Sequence, residues 1–373
     1  MSILFEHMNI KKLEIQNRFV RSATYDGCAD KTGQVSEKQI KLFSDLAGGG
    51  IGLIVTGITY VHPSGQSLPF QNSLAANDCI LGFKRLTAAV QNRGGRIAVQ
   101  LYHAGRERAR FLGTQKEQAM APSIVKDDPY FLEDHRAMTE DEIWEIVHSF
   151  GDAAKRAREA GFDAVQIHGA HGFLMSQFLS PITNLRDDIW GGTLEHRLRF
   201  HLETYHDIRR KVGEDYPVLI KIGVQDGFPG GLEFREGKEA ARLLAQWGFD
   251  ALEISQGLRG KQFDGTEFRT GIGSLEDEAY FRGWCKEIKE TVKVPVMMVG
   301  GLRTFELMEE VVENNETDFV SLCRPFIREP GIVNSWKSMN REKAKCISCN
   351  KCLLALRKGE PLRCIQENAK DGL

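Results

Sequence analysis

Short apolar runs alternate with longer amphipathic segments along most of the chain. Each run is apolar at successive positions, which is typical of parallel strands buried on both faces rather than of strands with one face in water. Eight runs therefore predict buried strands. They lie at Phe19 to Thr24, Ile51 to Gly57, Arg96 to Leu101, Ala164 to His168, Val218 to Val224, Ala251 to Ser255, Val296 to Gly300 and Phe319 to Cys323.

The segments between these runs have the periodicity of amphipathic helices. One helix is predicted over Glu142 to Ala160, where Thr139 and Glu142 have the spacing of a capping box, and another over Leu194 to Val212. Alternating strands and helices form an open doubly wound sheet or a closed barrel. Eight repeats over about 320 residues favour a (β/α)8 TIM barrel of the α/β class. No GxGxxG motif follows the first strand, which argues against an open dinucleotide-binding sheet.

The composition is that of a compact globular protein. Of 373 residues, 42% are hydrophobic and 27% are charged, so the chain can bury a core. A net charge of -2 gives no electrostatic reason to expect nucleic acid or an anionic membrane as a partner, so we expect a small-molecule substrate. The N-terminus lacks the apolar core and cleavage site of a signal peptide, and no run is long enough to cross a bilayer. A cytoplasmic location is therefore expected.

The character of the chain changes only near its C-terminus. We predict a barrel domain over residues 1–335 and a Cys-rich segment over 336–373. Half of the eight cysteines crowd into this segment, at Cys346, Cys349, Cys352 and Cys364. In a reducing compartment, such crowding indicates a metal or cluster site before it indicates disulfides.

Two histidines stand where the fourth predicted strand ends, which is where barrels of this kind carry their active sites. The strand leads directly into His168, and His171 follows three residues later. The adjacent glycines allow a ligand to approach the backbone closely. Two imidazole donors there could bind one carbonyl or carboxylate oxygen, although a pair of structural histidines is the alternative.

Two further polar residues lie within predicted strands. Gln100 ends the third strand, where its carboxamide can pair with the donor and acceptor edge of a ring such as a flavin pyrimidine, or simply satisfy a buried position. Lys221 lies inside the fifth strand, where an unpaired ammonium would be costly to bury. Its expected anionic partner is either a reduced flavin or the carboxylate of Glu253.

The last two strands end in residues suited to a phosphate. The seventh is followed by Gly300 and Gly301, whose exposed N–H groups can face an anion, and the eighth by Cys323 and Arg324. The corresponding loops of many barrels bind phosphate, and a guanidinium can contact two of its oxygens.

These motifs together resemble the Old Yellow Enzyme family of NADH:flavin oxidoreductases along essentially the whole chain. The resemblance is carried by Asn17 to Thr24, Gly49 to Ile54, Gln100 to Arg106, His168 to Pro181, Asn184 to Asp187 and Trp190 to Arg197. It implies flavin mononucleotide (FMN) bound in the barrel mouth, with NAD(P)H as the reductant. It also implies hydride transfer from reduced flavin to an activated alkene, an enone or enoate, whose oxygen would bind His168 and His171.

The resemblance assigns residues to the cofactor and the substrate. The flavin ring would contact Ala23, Thr24, Gly57, Gln100 and Lys221, and its phosphate would contact Gly300, Gly301, Cys323 and Arg324. Tyr102, Arg106 and Phe173 are expected in the substrate pocket. The pocket-shaping loops Gly113 to Glu133 and Gly257 to Leu275 contain no motif that identifies the substrate.

Two positions depart from the family pattern. Phe173 stands where many members have the Tyr that protonates the substrate, and loss of a positioned acid costs about 10²–10⁴-fold in rate. The expected proton source is therefore Tyr25, Tyr102 or water. Tyr25 itself stands where relatives often have a small Cys or Thr beside the flavin.

The four clustered cysteines have the spacing C-x2-C-x2-C-x11-C. This pattern resembles the [4Fe–4S] segment of larger members of the family, trimethylamine dehydrogenase and 2,4-dienoyl-CoA reductase. A tetrahedral zinc site and a metal-free tail are the alternatives.

The leading functional hypothesis is thus an ene-reductase-like NAD(P)H:FMN oxidoreductase. A second hypothesis is a flavin dehydrogenase of an amine or similar donor that passes electrons through a [4Fe–4S] cluster to a partner protein. A third is an electron-transfer subunit. We expect a homo-oligomer in the leading case.

Overall fold

The computed structural model describes residues 2–108, 118–126, 131, 134–259 and 266–366. Eight parallel strands close into a barrel in the order β3-β4-β5-β8-β9-β10-β11-β12, which confirms the predicted (β/α)8 TIM barrel. The strands are β1 (Met8–Ile10), β2 (Leu13–Ile15), β3 (Phe19–Arg21), β4 (Leu53–Tyr60), β5 (Arg96–Tyr102), β6 (Ala119–Ala121), β7 (His135–Ala137), β8 (Ala164–Gly169), β9 (Val218–Gly223), β10 (Ala251–Ser255), β11 (Val296–Val299) and β12 (Phe319–Leu322).

Helices connect successive barrel strands, as the apolar periodicity predicts. They are α1 (Glu37–Gly48), α2 (Ile80–Gln91), α3 (Glu140–Glu159), α4 (Leu174–Leu179), α5 (Leu194–Arg197), α6 (Arg199–Val212), α7 (Phe234–Trp247), α8 (Arg282–Lys289), α9 (Phe305–Glu313), α10 (Arg324–Arg328), α11 (Ile332–Lys337) and α12 (Leu353–Arg357). Short 3₁₀ turns occur at Ile3–Phe5, Pro63–Gly65 and Asn77–Cys79. Among the described residues, no helix combines the length and apolar character needed to span a bilayer.

Two predicted helices differ from the observed ones in their bounds. The capping box of Thr139 and Glu142 is present, but α3 already begins at Glu140, because the cap residue precedes the first helical turn. The helix predicted from Leu194 to Val212 is divided at Leu198 into α5 and α6.

Side chains inside the barrel change character along each strand. At the N-terminal ends of the strands, an apolar cluster fills the interior and packs against the β1–β2 hairpin through Ile10 and Ile15. We call this cluster the floor; its strand residues are Val20, Leu53, Val55, Ala98, Ala164, Leu219, Ala251, Met297 and Phe319. Side chains alternate along a strand, so the residues two positions further on also point inward. On four neighbouring strands these are polar: Gln100, Gln166, Lys221 and Glu253.

The C-terminal segment packs against the barrel rather than standing apart from it. The Trp336 ring in α11 lies 5.3 Å from the ring of Phe19. The Ala344 N–H donates to the Arg303 carbonyl at 3.0 Å, and the Leu362 N–H donates to the Asp26 carbonyl at 2.8 Å. Helix α11 spans the position of the predicted boundary between residues 335 and 336, and that boundary remains a prediction.

Candidate active site

Strand register brings the predicted histidine and lysine together at the C-terminal end of the barrel. His168 is the register partner of Lys221, and Lys221 is the partner of Glu253 on the next strand. All three side chains are buried. The chain then turns sharply, since His171 has a φ of 64° and Gly172 a φ of 79°. This turn returns the second imidazole to the first, and the two ring centroids lie 4.8 Å apart.

His168 is held as a neutral imidazole that donates from one known nitrogen. The Ala170 N–H donates to His168 Nδ1 at 3.3 Å, so the ring proton resides on Nε2. Burial holds the pKa of His168 well below its usual value, and the charges of His171, Lys221 and Arg259 add to this effect. His168 therefore offers a hydrogen-bond donor near neutral pH without carrying a charge.

His171 is oriented by one neighbour at the end of β10 and by another from the segment that follows β10. Its Nε2 lies 2.8 Å from Ser255 Oγ, and its Nδ1 faces Glu267 Oε1 at 3.8 Å. Burial lowers the pKa of His171 to about 3, although Glu267 opposes this shift. A neutral ring facing a carboxylate keeps its proton on Nδ1, so in this arrangement His168 rather than His171 presents a free donor.

A continuous chain of polar contacts crosses the barrel one layer above the floor. Gln100 Nε2 donates to Gln166 Oε1 at 2.7 Å, and Gln166 Nε2 donates to Glu253 Oε2 at 2.9 Å. Lys221 Nζ lies 3.3 Å from the same Glu253 oxygen and donates to Ser22 Oγ at 2.7 Å. Of the two partners expected for Lys221, this structure therefore shows the carboxylate of Glu253.

The predicted flavin residues after β3 and within β4 lie against each other. Thr24 Oγ1 donates to the Ser22 carbonyl at 2.8 Å and lies 3.0 Å from Cys323 Sγ, so the ends of β3 and β12 meet. A Cβ at Gly57 would stand 2.8 Å from the Thr24 carbonyl oxygen. Glycine is therefore required at position 57 for this close approach, and Ala23 lies beside the floor.

The predicted phosphate residues also come together, with partners that the sequence does not indicate. Gly300 and Gly301 have φ values of 127° and 76°, and a Cβ at Gly300 would meet the Tyr280 ring at 2.8 Å. Arg324 Nη1 donates to the Arg269 carbonyl at 2.7 Å and to Asn350 Oδ1 at 2.8 Å. Arg324 thus joins the predicted phosphate loop to the Cys-rich segment.

The residues predicted to contact substrate form an aromatic wall beside His168. The Phe173 ring lies 5.0 Å from the His168 ring and 4.6 Å from that of Tyr102. The two tyrosines proposed as acids are both engaged, because Tyr25 donates to the Pro69 carbonyl and Tyr102 Oη lies 2.7 Å from Ser67 Oγ.

Arg106 and Arg259 place cations near this wall. The Arg106 guanidinium lies 4.5 Å from the centre of the Phe131 ring, and the Arg259 guanidinium lies 5.6 Å from that of Phe173. Arg259 Nε donates to Glu267 Oε2 at 3.0 Å. No motif in the sequence marks Arg259 or Glu267, and only the closed barrel brings them near His168. Gln166 lies two residues before His168 on β8, but nothing in the sequence indicates its partners. Arg259 and Glu267 belong to the predicted pocket loop Gly257 to Leu275; residues 260–265 of that loop, and residues 113–117, 127–130 and 132–133 of the loop Gly113 to Glu133, lie outside the described residues.

The four clustered cysteines line one small cavity together with Arg324 and Arg328. Arg328 Nη1 donates to Cys364 Sγ at 3.4 Å. Burial, together with the nearby thiols of Cys323 and Cys346, raises the pKa of Cys352 to about 11. Among the described residues, no group of three or more Cys, His, Asp or Glu side chains has the arrangement of a metal-ion site. The predicted ligands Cys346, Cys349, Cys352 and Cys364 thus share a cavity, and their metal remains a prediction.

The chain is similar in sequence to known proteins over most of its length. The sequence profile of the NADH:flavin oxidoreductase / NADH oxidase family matches residues 3–343. The chain is 36% identical over 353 residues to the NADH oxidase of Thermoanaerobacter brockii, which covers 93% of this chain and 52% of that protein. It is 31% identical over 337 residues to the NADPH dehydrogenase of Clostridium acetobutylicum, which covers 89% of this chain and 94% of that protein.

A solved structure agrees with the fold over nearly the whole chain. The structure of 2-naphthoyl-CoA reductase in complex with 2-naphthoyl-CoA has a TM-score of 0.88 and 25% sequence identity. The match covers 97% of this chain and 56% of the reductase chain. The chain therefore spans about half the length of this reductase and of the NADH oxidase.

Proposed function

The chain belongs to the NADH:flavin oxidoreductase / NADH oxidase family, as the sequence motifs predict, and from this we propose that it is an FMN-dependent NAD(P)H oxidoreductase acting on an activated alkene. FMN, when bound, supplies hydride transfer between NAD(P)H and the alkene. One observation carries the proposal: a neutral His168 with its proton on Nε2 stands next to the buried cation of Lys221 at the barrel mouth. A donor and a cation in one pocket suit a substrate that gains negative charge.

The chain offers groups suited to both ends of FMN. Gln100 and Lys221 supply an amide and a cation for the pyrimidine edge, and the lack of a side chain at Gly57 lets the backbone of Thr24 approach it closely. Ala23 and Thr24 would lie beside the ring, and Gly300, Gly301, Cys323 and Arg324 would hold the phosphate. Positive φ values at both glycines favour N–H groups that face an anion.

His168 would bind the carbonyl or carboxylate oxygen of the alkene. Its Nε2–H donates to that oxygen, and donors aimed at a developing oxyanion stabilise it more strongly than they stabilise the neutral substrate. Ser255 and Glu267 hold the imidazole of His171 beside that of His168. Phe173 and Tyr102 would exclude water from one side of the substrate.

Phe173 carries no group that could donate the proton that completes alkene reduction. Tyr25 and Tyr102 both use their hydroxyl groups in contacts with Pro69 and Ser67, and burial raises the pKa of each phenol far above its usual value. Tyr25 would have to break its contact to act as an acid, and the raised pKa makes the phenol of Tyr102 a poor proton donor. Water is therefore the proton source that we propose, and the catalytic role of Tyr25 remains a prediction.

Reconstitution with FMN tests the proposed function. The purified chain is incubated with FMN, desalted, and mixed anaerobically with NADH or NADPH while the flavin absorbance is followed. We expect stoichiometric yellow protein, bleaching by one nicotinamide cofactor, and return of the colour on addition of 2-cyclohexenone. A chain that does not retain FMN, or a bleached flavin that 2-cyclohexenone fails to reoxidise, contradicts the proposal.

A second candidate function is favoured by the cavity that the four cysteines share. Their thiols, with the guanidinium of Arg328 donating to one of them, suit a [4Fe–4S] cluster better than a single zinc ion, which needs four ligands at one point. Such a cluster would let the protein oxidise an amine and pass electrons to a partner protein. Bleaching of the flavin by an amine instead of NAD(P)H would support this function.

Iron analysis of anaerobically purified variants tests the cluster directly. We expect Cys352→Ser to lose most of the bound iron. Cys79→Ser is the matched control, because Cys79 is buried and lies far from the Cys-rich segment in the sequence. Its thiol donates to the Ala76 carbonyl, which a hydroxyl can also do. Equal iron content in both variants would contradict a cluster. Homo-oligomerisation and a cytoplasmic location remain predictions.

A further inference from the structure

Glu253 is a fully buried carboxylate at the centre of the polar chain that crosses the barrel. Its side chain has 0% exposure, and its two oxygens differ. Oε2 accepts from Gln166 and faces Lys221, whereas no described residue donates to Oε1. A buried carboxylate needs a reason to be retained in a barrel interior, because replacing it with an apolar residue would avoid the cost of burying it.

The chemistry of Glu253 sets the direction of the whole chain. An ionised carboxylate only accepts hydrogen bonds, so Gln166 must turn its amide nitrogen toward Glu253. The carbonyl oxygen of Gln166 then faces Gln100, and Gln100 must in turn donate through Nε2. The donor and acceptor groups alone fix this order, because the nitrogen and oxygen of each amide must match the partner that they face.

The last amide in the chain is left with its oxygen free. No described residue donates to Gln100 Oε1, and this oxygen is not among the fully shielded unpaired atoms. Gln100 therefore presents an acceptor to the mouth of the barrel. The N3–H of a flavin pyrimidine is a donor that such an acceptor would select.

We propose that Glu253 is a positioning residue for the flavin: through Gln166 it fixes the orientation of the Gln100 amide, and beside Lys221 it offsets part of the positive charge. This inference rests on the proposed function, because it concerns how the same site holds FMN. It assigns Glu253 no contact with the substrate. The negative charge makes the site less favourable to the anionic reduced flavin than Lys221 alone would make it.

Two variants separate the charge from the hydrogen-bond direction. Glu253→Gln removes the charge at nearly constant shape, so we expect reduced FMN to bind at least about tenfold more tightly relative to oxidised FMN. For a two-electron couple, this corresponds to an upward shift of about 30 mV in the midpoint potential. Gln166→Met keeps the charge but cuts the link to Gln100, so we expect oxidised FMN to bind about tenfold more weakly with little change in potential.

Glu316→Gln is the matched control for both measurements. Glu316 is a buried, ion-paired carboxylate that precedes β12 at the opposite end of the barrel, where it contacts Arg282. Its substitution should leave the FMN dissociation constant and the potential as in the wild type. Dissociation constants come from fluorescence titration of apoprotein with FMN, and potentials from equilibration with a reference dye.

The outcomes distinguish this inference from the proposed function. A wild-type protein that does not bind FMN overturns both. A wild type that binds FMN, with E253Q at the wild-type potential and Q166M at the wild-type affinity, overturns only the role of Glu253. If E253Q loses its native circular dichroism, the affinity of Q166M decides, because that variant tests whether Glu253 acts through Gln166 on Gln100.

Discussion

The two ends of the barrel interior use the same strands for opposite chemistry. On four neighbouring strands, the floor residues are apolar and the inward residues two positions later are polar. The pairs are Ala98 and Gln100, Ala164 and Gln166, Leu219 and Lys221, and Ala251 and Glu253. A rise of about 6.6 Å along each strand thus separates the apolar floor from a polar layer. We call this layer, formed by Gln100, Gln166, Lys221 and Glu253, the upper layer.

This difference shows how a barrel can bury charge without losing its core. Each polar residue of the upper layer has a hydrogen-bond or ion-pair partner on another of the four strands, and the chain of contacts ends at Lys221 and Ser22. The floor has no such partners, and the β1–β2 hairpin seals it from water. Under the proposed function, stability and ligand binding therefore depend on different layers of the same strands.

The largest effect is expected from placing an additional charge in the floor. Leu219→Lys places an ammonium two residues below Lys221, at a position with 0% exposure and only apolar neighbours in its cluster. An unpaired buried charge costs about 3–5 kcal/mol, so the free energy of unfolding should fall by that amount in urea titrations. Leu219→Met, which conserves volume, should cost less than about 1.5 kcal/mol. Similar stability of the two variants would refute the separation of layers.

The next largest effect is expected at His168, the hydrogen-bond donor that lies beyond the upper layer at the barrel mouth. His168→Phe removes the Nε2–H that would bind the substrate oxygen, and loss of one such donor costs about 10²–10³-fold in rate. Stopped-flow measurement should show this loss in flavin reoxidation by 2-cyclohexenone, with reduction by NAD(P)H nearly unchanged. His148→Phe, at an exposed imidazole on α3, is the control. Equal losses in both half-reactions would show that His168 acts structurally.

A smaller effect, in the opposite direction, is expected from restoring a hydroxyl to the aromatic wall. Phe173→Tyr adds a phenol 5.0 Å from the His168 ring, measured between ring centres of the present side chains. A positioned acid accelerates proton transfer, so we expect enone reduction to rise about tenfold, below the full range for an evolved acid. An unchanged rate together with an unchanged solvent isotope effect would indicate that protonation by water is already fast.

The smallest expected effect concerns the contribution of His171 to the stability of the protein in acid. Burial lowers the pKa of His171 to about 3, against 6.5 for an unperturbed imidazole, with His168, Lys221, Arg259 and Glu267 as its charged or titratable neighbours. Between these values the unfolded chain binds more protons, so stability is fully present above pH 6.5 and is lost as the pH falls. One imidazole contributes at most about 1.4 kcal/mol per pH unit. His171→Gln should show a shallower decline between pH 7 and 5 in urea titrations.

Patterns of local sequence were sufficient for the strands and for several site residues. Continuous apolar runs marked all eight barrel strands because both faces of each strand are buried, and His168 and Lys221 stood out because polar groups interrupt those runs. Gln166 also interrupts a run, but a single buried amide carries no information about its partner. Strand β3 ends at Arg21 rather than at the predicted Thr24.

The sequence alone determined the barrel and the family to which the chain belongs, because burial on both faces and adjacent motifs are local properties. Only the tertiary structure decided that Lys221 faces Glu253, that Glu267 faces His171 and that Arg324 reaches the Cys-rich segment. These contacts join residues that are distant in the chain. Closure of the barrel and its strand register determine them, and neither leaves a mark at any one position in the sequence.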